Sequence, residues 1–126
     1  MLGNADVKPM IAVKDLDRAR QFYEDKLGLE TTDEWGGEGL TMKSGDTLIN
    51  VYKSDFAGTN KATALTFEVE DAAQEVRDLR DKGIMFEHYD MPGLEQQGDL
   101  HVAKGFKTAW FKDPDGNILS LVEGGG

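Results

Sequence analysis

Apolar positions along this chain recur in two rhythms, and the same succession of rhythms occurs twice at an offset of about 56 residues. Residues Val7 to Val13 alternate as a half-buried strand, with Pro9 directing it to a sheet edge. Asp15 then stands as an N-cap. Leu16, Ala19, Phe22, Tyr23 and Leu27 fall on one helical face, and Gly28 sits where a helix ends in a left-handed residue, which predicts about three turns of amphipathic helix. Leu29 to Trp35 reads as extended. Leu40 to Lys43 and Thr47 to Tyr52 read as a hairpin about Ser44, Gly45 and Asp46, and polar residues from Lys53 to Lys61 link onward.

The second copy opens with a strand over Thr63 to Val69 and a cap at Asp71. Ala72, Val76 and Leu79 share one helical face before Gly83. Ile84 to Tyr89 reads as a strand. The segment from Asp90 to Lys107, with Pro92 and three glycines, is long for a connection in a compact domain and is either a lid or binding loop or an unstructured excursion. Thr108 to Lys112 and Asn117 to Glu123 close the copy as a hairpin around Asp113-Pro114-Asp115-Gly116, and Gly124 to Gly126 are expected to fray. A strand-helix-meander unit cannot bury its apolar face alone. The repeat therefore predicts one α+β domain over 1–126 made of two tandem β-α-β-β-β modules, about 5–54 and about 62–123, whose curved mixed sheets form a cup.

Composition narrows the chemistry. The formal charge of −10 repels nucleic acid and anionic membranes, so neither is an expected partner. No cysteine is present, which excludes disulfides and thiolate metal sites, and no stretch approaches the roughly 20 apolar residues of a membrane span. With no basic and apolar leader at the N-terminus, the expectation is a cytoplasmic protein. No glycine pattern cradles phosphate, no serine has a nucleophile-elbow context, and Asp113 and Asp115 are spaced as turn residues.

Val13-Lys14-Asp15-Leu16-Asp17, Phe22-Tyr23 with Leu27-Gly28, and Trp110 to Asn117, in that order and duplicated, resemble the vicinal oxygen chelate superfamily. That superfamily includes glyoxalase I, extradiol dioxygenases, fosfomycin-resistance enzymes and bleomycin-resistance proteins. The resemblance implies a cup-shaped fold, a homodimer, and a divalent metal held from the first and last strands of each module. Its ligand positions fall on Lys8, Asn50, Ala64 and Ser120. An ammonium has no lone pair to give, alanine has no donor, and two neutral oxygens cannot replace the hydration of a divalent cation, so neither metal nor other cofactor is expected. His88 and His101 lie outside those positions, and His101 falls in the long segment. Both read as surface or hydrogen-bonding histidines rather than a metal pair.

What remains is a cup for a small-molecule ligand. If the four positions point inward, strand alternation sends Met10, Tyr52 and Thr66 the same way, along with Ile118 and Val122, while Trp35 and Trp110 add flat walls. The expected lining is Lys8, Met10, Trp35, Asn50, Tyr52, Ala64, Thr66, Trp110 and Ser120. The resemblance then admits metal-independent binding of a small organic molecule in the manner of bleomycin-resistance proteins, or a lyase, isomerase or dioxygenase-like enzyme with an unusual or absent metal site, and, since fold does not fix function, a degenerate scaffold working by protein interaction. In the second, Lys8 would supply the polar group and Ser120 or Asn50 would orient the substrate. No catalytic residue is assigned.

Overall fold

Asp15 and Asp71 each start a helix as their spacing predicts. In a computed structural model that describes residues 1–124, the Asp15 carboxylate accepts the Arg18 N–H at 3.1 Å and the Asp71 carboxylate accepts the Gln74 N–H at 3.1 Å. The chain divides into two units, Met1–Ala57 and Gly58–Gly126, and each contains one of these helices.

The first unit runs β1 (Met10–Val13), α1 (Leu16–Gln21), β2 (Glu30–Glu34), β3 (Gly39–Ser44) and β4 (Thr47–Lys53). Its sheet has the order β1-β4-β3-β2, with β1 parallel to β4 and the other pairs antiparallel. Pro9 lies just ahead of β1, which is an edge strand. The strand is shorter than the expected Val7 to Val13, because proline has no N–H for a ladder. Ile11, Val13, Leu40, Met42, Ile49 and Val51 are buried, as are Ala19, Phe22, Tyr23 and Leu29. Each large side chain removed from water in this way contributes about 1.5–3 kcal/mol. The predicted three-turn helix is instead six α-helical residues continued by a π-helical turn over Phe22–Lys26, in which the Leu27 N–H reaches the Phe22 carbonyl. The wider turn brings the neighbouring rings Phe22 and Tyr23 into the core edge to face, 5.2 Å apart. Gly28 then ends it at φ 81°.

The second unit runs β5 (Thr63–Glu68), α2 (Ala72–Asp81), β6 (Phe86–Glu87), β7 (Glu95–Gln97), β8 (Leu100–Ala103), β9 (Phe106–Lys112) and β10 (Ile118–Gly124). Its strands are ordered β5-β10-β9-β8-β7, with β5 parallel to β10, and β6 also pairs with β9. Ala72, Val76 and Leu79 of α2 are buried, as are Ala109, Phe111, Leu119 and Leu121 of the sheet.

Three expectations are corrected here. The strand over Ile84 to Tyr89 shrinks to Phe86–Glu87. The segment from Asp90 to Lys107 is not unstructured: it holds the β7–β8 hairpin and the start of β9, whose edge β6 and β8 share. Gly124 pairs with Phe106 instead of fraying, while Gly125 and Gly126 lie outside the described residues. Among the described residues no helix is long and apolar enough to cross a membrane.

Candidate functional site

Strand alternation gives each sheet a second face, away from its buried aliphatic residues. In the first unit that face carries Met10, Asn50 and Thr41 in one cross-strand row, with Ala12, Tyr52 and Gly39 in the next. The Trp35 indole N–H donates to the Thr41 hydroxyl at 3.1 Å, which donates to the Asn50 carbonyl oxygen at 3.0 Å. The Asn50 amide in turn reaches the Met10 sulfur at 3.4 Å. Gly39 makes this arrangement possible, because a methyl there would run into the Trp35 ring and come within 2.9 Å of the Val51 carbonyl. Four expected lining residues, Met10, Trp35, Asn50 and Tyr52, thus share one face, and three are bound into a single polar chain. Lys8 is not among them: it precedes β1 and is exposed. Elsewhere in this unit, a polar pocket of about 440 Å³ lies among Lys14, Asp17, Arg20, Glu34 and Lys53, where Arg20 is tied to Glu24 and Glu34.

The second unit is built differently. Ser120 sits opposite Thr66 on one side and Trp110 on the other, and its buried hydroxyl lies 2.8 Å from the Thr66 hydroxyl. Ala64 falls at a bulge: Ile118 pairs with Thr63 and Leu119 with Leu65, so two residues of β5 advance against one of β10. Thr63 therefore takes the place opposite Ile118 that strict alternation gives to Ala64. The Thr63 hydroxyl accepts the Trp110 indole N–H at 3.2 Å.

A pocket of about 310 Å³ opens here, lined by Lys61, Thr63, Tyr89, Met91, Trp110 and Ile118. Trp110 and Tyr89 form its aromatic walls, edge to face at 5.2 Å. Lys61, Thr63, Tyr89 and Met91 are lining residues that sequence reasoning missed. Tyr89 carried a usable signal, since it follows Glu87 by two and Glu87 pairs with Trp110, but that register becomes visible only once the strands are paired.

Behind the walls lies His101, 1% exposed, its ring 4.8 Å from Trp110 and its Nε2 accepting the Tyr89 N–H at 3.1 Å. Its Nδ1 is buried without a hydrogen-bond partner. Burial, and secondarily the charge of His88, holds this imidazole below its ordinary pKa. His88 itself is exposed and paired with Asp99 at 2.7 Å, and Asp99 also meets Arg80 of α2 at 3.5 Å. The expected placement of His101 in a loop is corrected: it belongs to β8, opposite Thr108.

The four positions that would hold a divalent cation do not fit one. Lys8 offers only an ammonium, Ala64 no donor, the Asn50 carbonyl oxygen already accepts from Thr41, and the Ser120 hydroxyl is engaged with Thr66. No three histidine or carboxylate side chains converge to suit a metal ion among the described residues.

Residues 7–121 match the sequence profile of the family described as Glyoxalase/Bleomycin resistance protein/Dioxygenase superfamily. Solved structures share the fold. A glyoxalase family protein from Enterococcus faecalis is 24% identical, with a TM-score of 0.73 over 98% of this chain and 100% of that one. A lactoylglutathione lyase from Agrobacterium tumefaciens is 20% identical, with a TM-score of 0.70 over 96% and 94%. The fosfomycin resistance protein FosX from Listeria monocytogenes is 12% identical, with a TM-score of 0.74 over 96% and 93%. No curated protein matches the chain by sequence.

Proposed function

The chain belongs to the Glyoxalase/Bleomycin resistance protein/Dioxygenase superfamily, and from that premise we propose that it binds a small, flat organic molecule in the second unit, without a divalent cation at the four strand positions. The observation that carries this reading is the pair of aromatic walls, Trp110 and Tyr89, over an open pocket of about 310 Å³. Such walls give a planar guest a large apolar contact, and the hydroxyl of Thr63 offers a polar contact at the rim, while the Lys61 ammonium, which would repel a cation, is exposed to water. The formal charge of −10 favours a cationic guest over an anionic one, and a cation is also attracted to the face of an indole. Binding of this kind matches the bleomycin-resistance manner of working and asks nothing of Lys8, Asn50, Ala64 or Ser120 as metal ligands. Two copies per assembly belong to the same reading.

The test is titration with proflavine, a planar aromatic cation, followed by its fluorescence and by quenching of tryptophan emission. Saturable binding that EDTA leaves unchanged is expected, and Trp110→Ala should weaken it about tenfold or more. Trp35→Ala, on the other unit, should leave it unaltered. Binding that requires added metal, or that ignores the loss of Trp110, overturns the reading. Sedimentation of a fully active monomer removes the dimer.

A further inference from the structure

We infer that His101 is the positioning residue of this pocket, its neutral ring fixing both aromatic walls so that acidification loosens them and releases the guest. The inference rests on the binding reading above and adds its regulation. Nε2 of His101 accepts the Tyr89 N–H at 3.1 Å, and the same ring lies against Trp110 at 4.8 Å, so one buried side chain contacts the two residues that define the pocket's walls. An imidazole nitrogen that accepts a hydrogen bond carries no proton. The neutral ring therefore bears its hydrogen on Nδ1, which is buried and unpartnered.

Adding a proton places it on Nε2, facing the Tyr89 N–H. Two donors then oppose each other, and the bond that holds Tyr89 is lost. The groups around the ring act on the new charge in both directions: burial and the charge of His88 oppose it, more strongly than the backbones of Tyr89 and Thr108 favour it. His88, just past β6, lies 6.2 Å away ring to ring, and its partner Asp99 of the β7–β8 turn is engaged by His88 at 2.7 Å and by Arg80 of α2 at 3.5 Å. From β9, Thr108 lies opposite His101, and its backbone favours the charged ring. Burial and the charge of His88 both favour the uncharged form. The ring is thus suited to hold the walls near neutrality and to let them go in acid.

Two measurements on the full chain test this. The first is proflavine affinity at about pH 7.5 and about pH 5.5 for the native protein, His101→Gln and His101→Phe. The native protein should lose about tenfold in affinity on acidification, a loss on the scale of one hydrogen bond and its packing. His101→Gln, whose carbonyl accepts the Tyr89 N–H without titrating, should bind with little change between the two. His101→Phe, which keeps a ring beside Trp110 but has no acceptor, should be weak at both. The second is the Tyr89 amide resonance in ligand-free protein, which should shift with pH in the native chain and stay fixed in His101→Gln.

If His101→Gln follows the native pH profile, or the Tyr89 amide ignores pH, the inference falls while binding stands. If proflavine does not bind at neutral pH but the Tyr89 amide titrates through His101, the binding reading falls and the positioning contact stands. A His101→Phe chain that is folded by circular dichroism and binds like the native one refutes the assignment outright.

Discussion

The two units start from the same succession of elements and finish with opposite faces. In the first, the indole N–H of Trp35 is turned onto Thr41 and the polar groups continue through Asn50 to Met10, so the face is satisfied from within. In the second, Trp110 reaches out to Thr63 and, with Tyr89, frames a pocket. The divergence lies in one stretch. β2 holds the edge of β3 through five residues and passes by a short turn to Gly39. β6 leaves β9 after two residues, and the chain returns through the β7–β8 hairpin to hold the rest of that edge. His88, Tyr89, Asp99 and His101 all lie in this detour. Duplication supplies the scaffold, and the departure from it supplies the candidate site.

The closing hairpins give the largest predicted contrast. In the second unit the buried Asp113 carboxylate accepts from the Asp115 N–H at 2.9 Å, the Asn117 N–H at 2.9 Å and the Asn117 side-chain amide at 2.8 Å. The first unit turns tightly between Ser44 and Thr47, with Asp46 exposed. Asp113→Ala should cost about 3 kcal/mol in urea unfolding, because several charge-assisted bonds go at once and buried donors are left over. Asp46→Ala should stay within about 0.5 kcal/mol. Equal costs would show that the two turns bear on stability alike.

Next in size is Gly39→Ala. Its methyl would meet the Trp35 ring and the Val51 carbonyl, so the indole or the strand must move, at about 2 kcal/mol. Tryptophan emission should shift as Trp35 leaves its place over the sheet, while proflavine binding at the other unit should persist. Smaller again is Thr41→Val, which removes the hydroxyl between the Trp35 N–H and the Asn50 carbonyl. About 1–2 kcal/mol is expected from the two lost bonds. Ser120→Ala breaks one hydroxyl pair and should cost less than Thr41→Val. The reverse order would mean that the polar chain of the first unit is not what satisfies its face.

Much of this architecture was legible in the sequence, because helix caps and the two apolar periods are local signals. Asp15, Asp71, Gly28 and Gly83 mark helix ends, and alternation, counted from the positions that the resemblance gives to Asn50 and Ser120, puts Met10, Tyr52 and Thr66 on the faces they share with them. What could not be read depends on pairing between distant strands. The bulge that substitutes Thr63 for Ala64 exists only in the register of β5 on β10. β7, as Glu95, Gln96 and Gln97, is wholly exposed and shows no apolar alternation, so nothing local marks it as a strand. The burial of His101 follows from that hairpin, and with it the link between Tyr89 and Trp110. The ligand position that the resemblance gives to Lys8 needs β1 to extend back past Pro9, and the strand starts at Met10.

Acid sensitivity is the finest test of the contrast between the units, since both histidines of the chain lie in the second. The His101 imidazole is held below its ordinary pKa chiefly by burial, with the charge of His88 acting in the same direction. The unfolded chain therefore binds a proton at this ring more readily than the folded one. Linkage then requires stability to be fully present above the ordinary histidine value of about 6.5 and to fall as the pH drops through the folded value. The urea midpoint should decline as the pH is lowered from about 7.5 to about 5.5, and His101→Gln should flatten that decline. Hydrogen exchange should place the early loss of protection in β8 and β9, with β3 and β4 of the first unit unchanged. A decline that starts in both units together, or that His101→Gln leaves intact, would trace the acid response to carboxylates shared across the chain instead of to the ring behind Trp110.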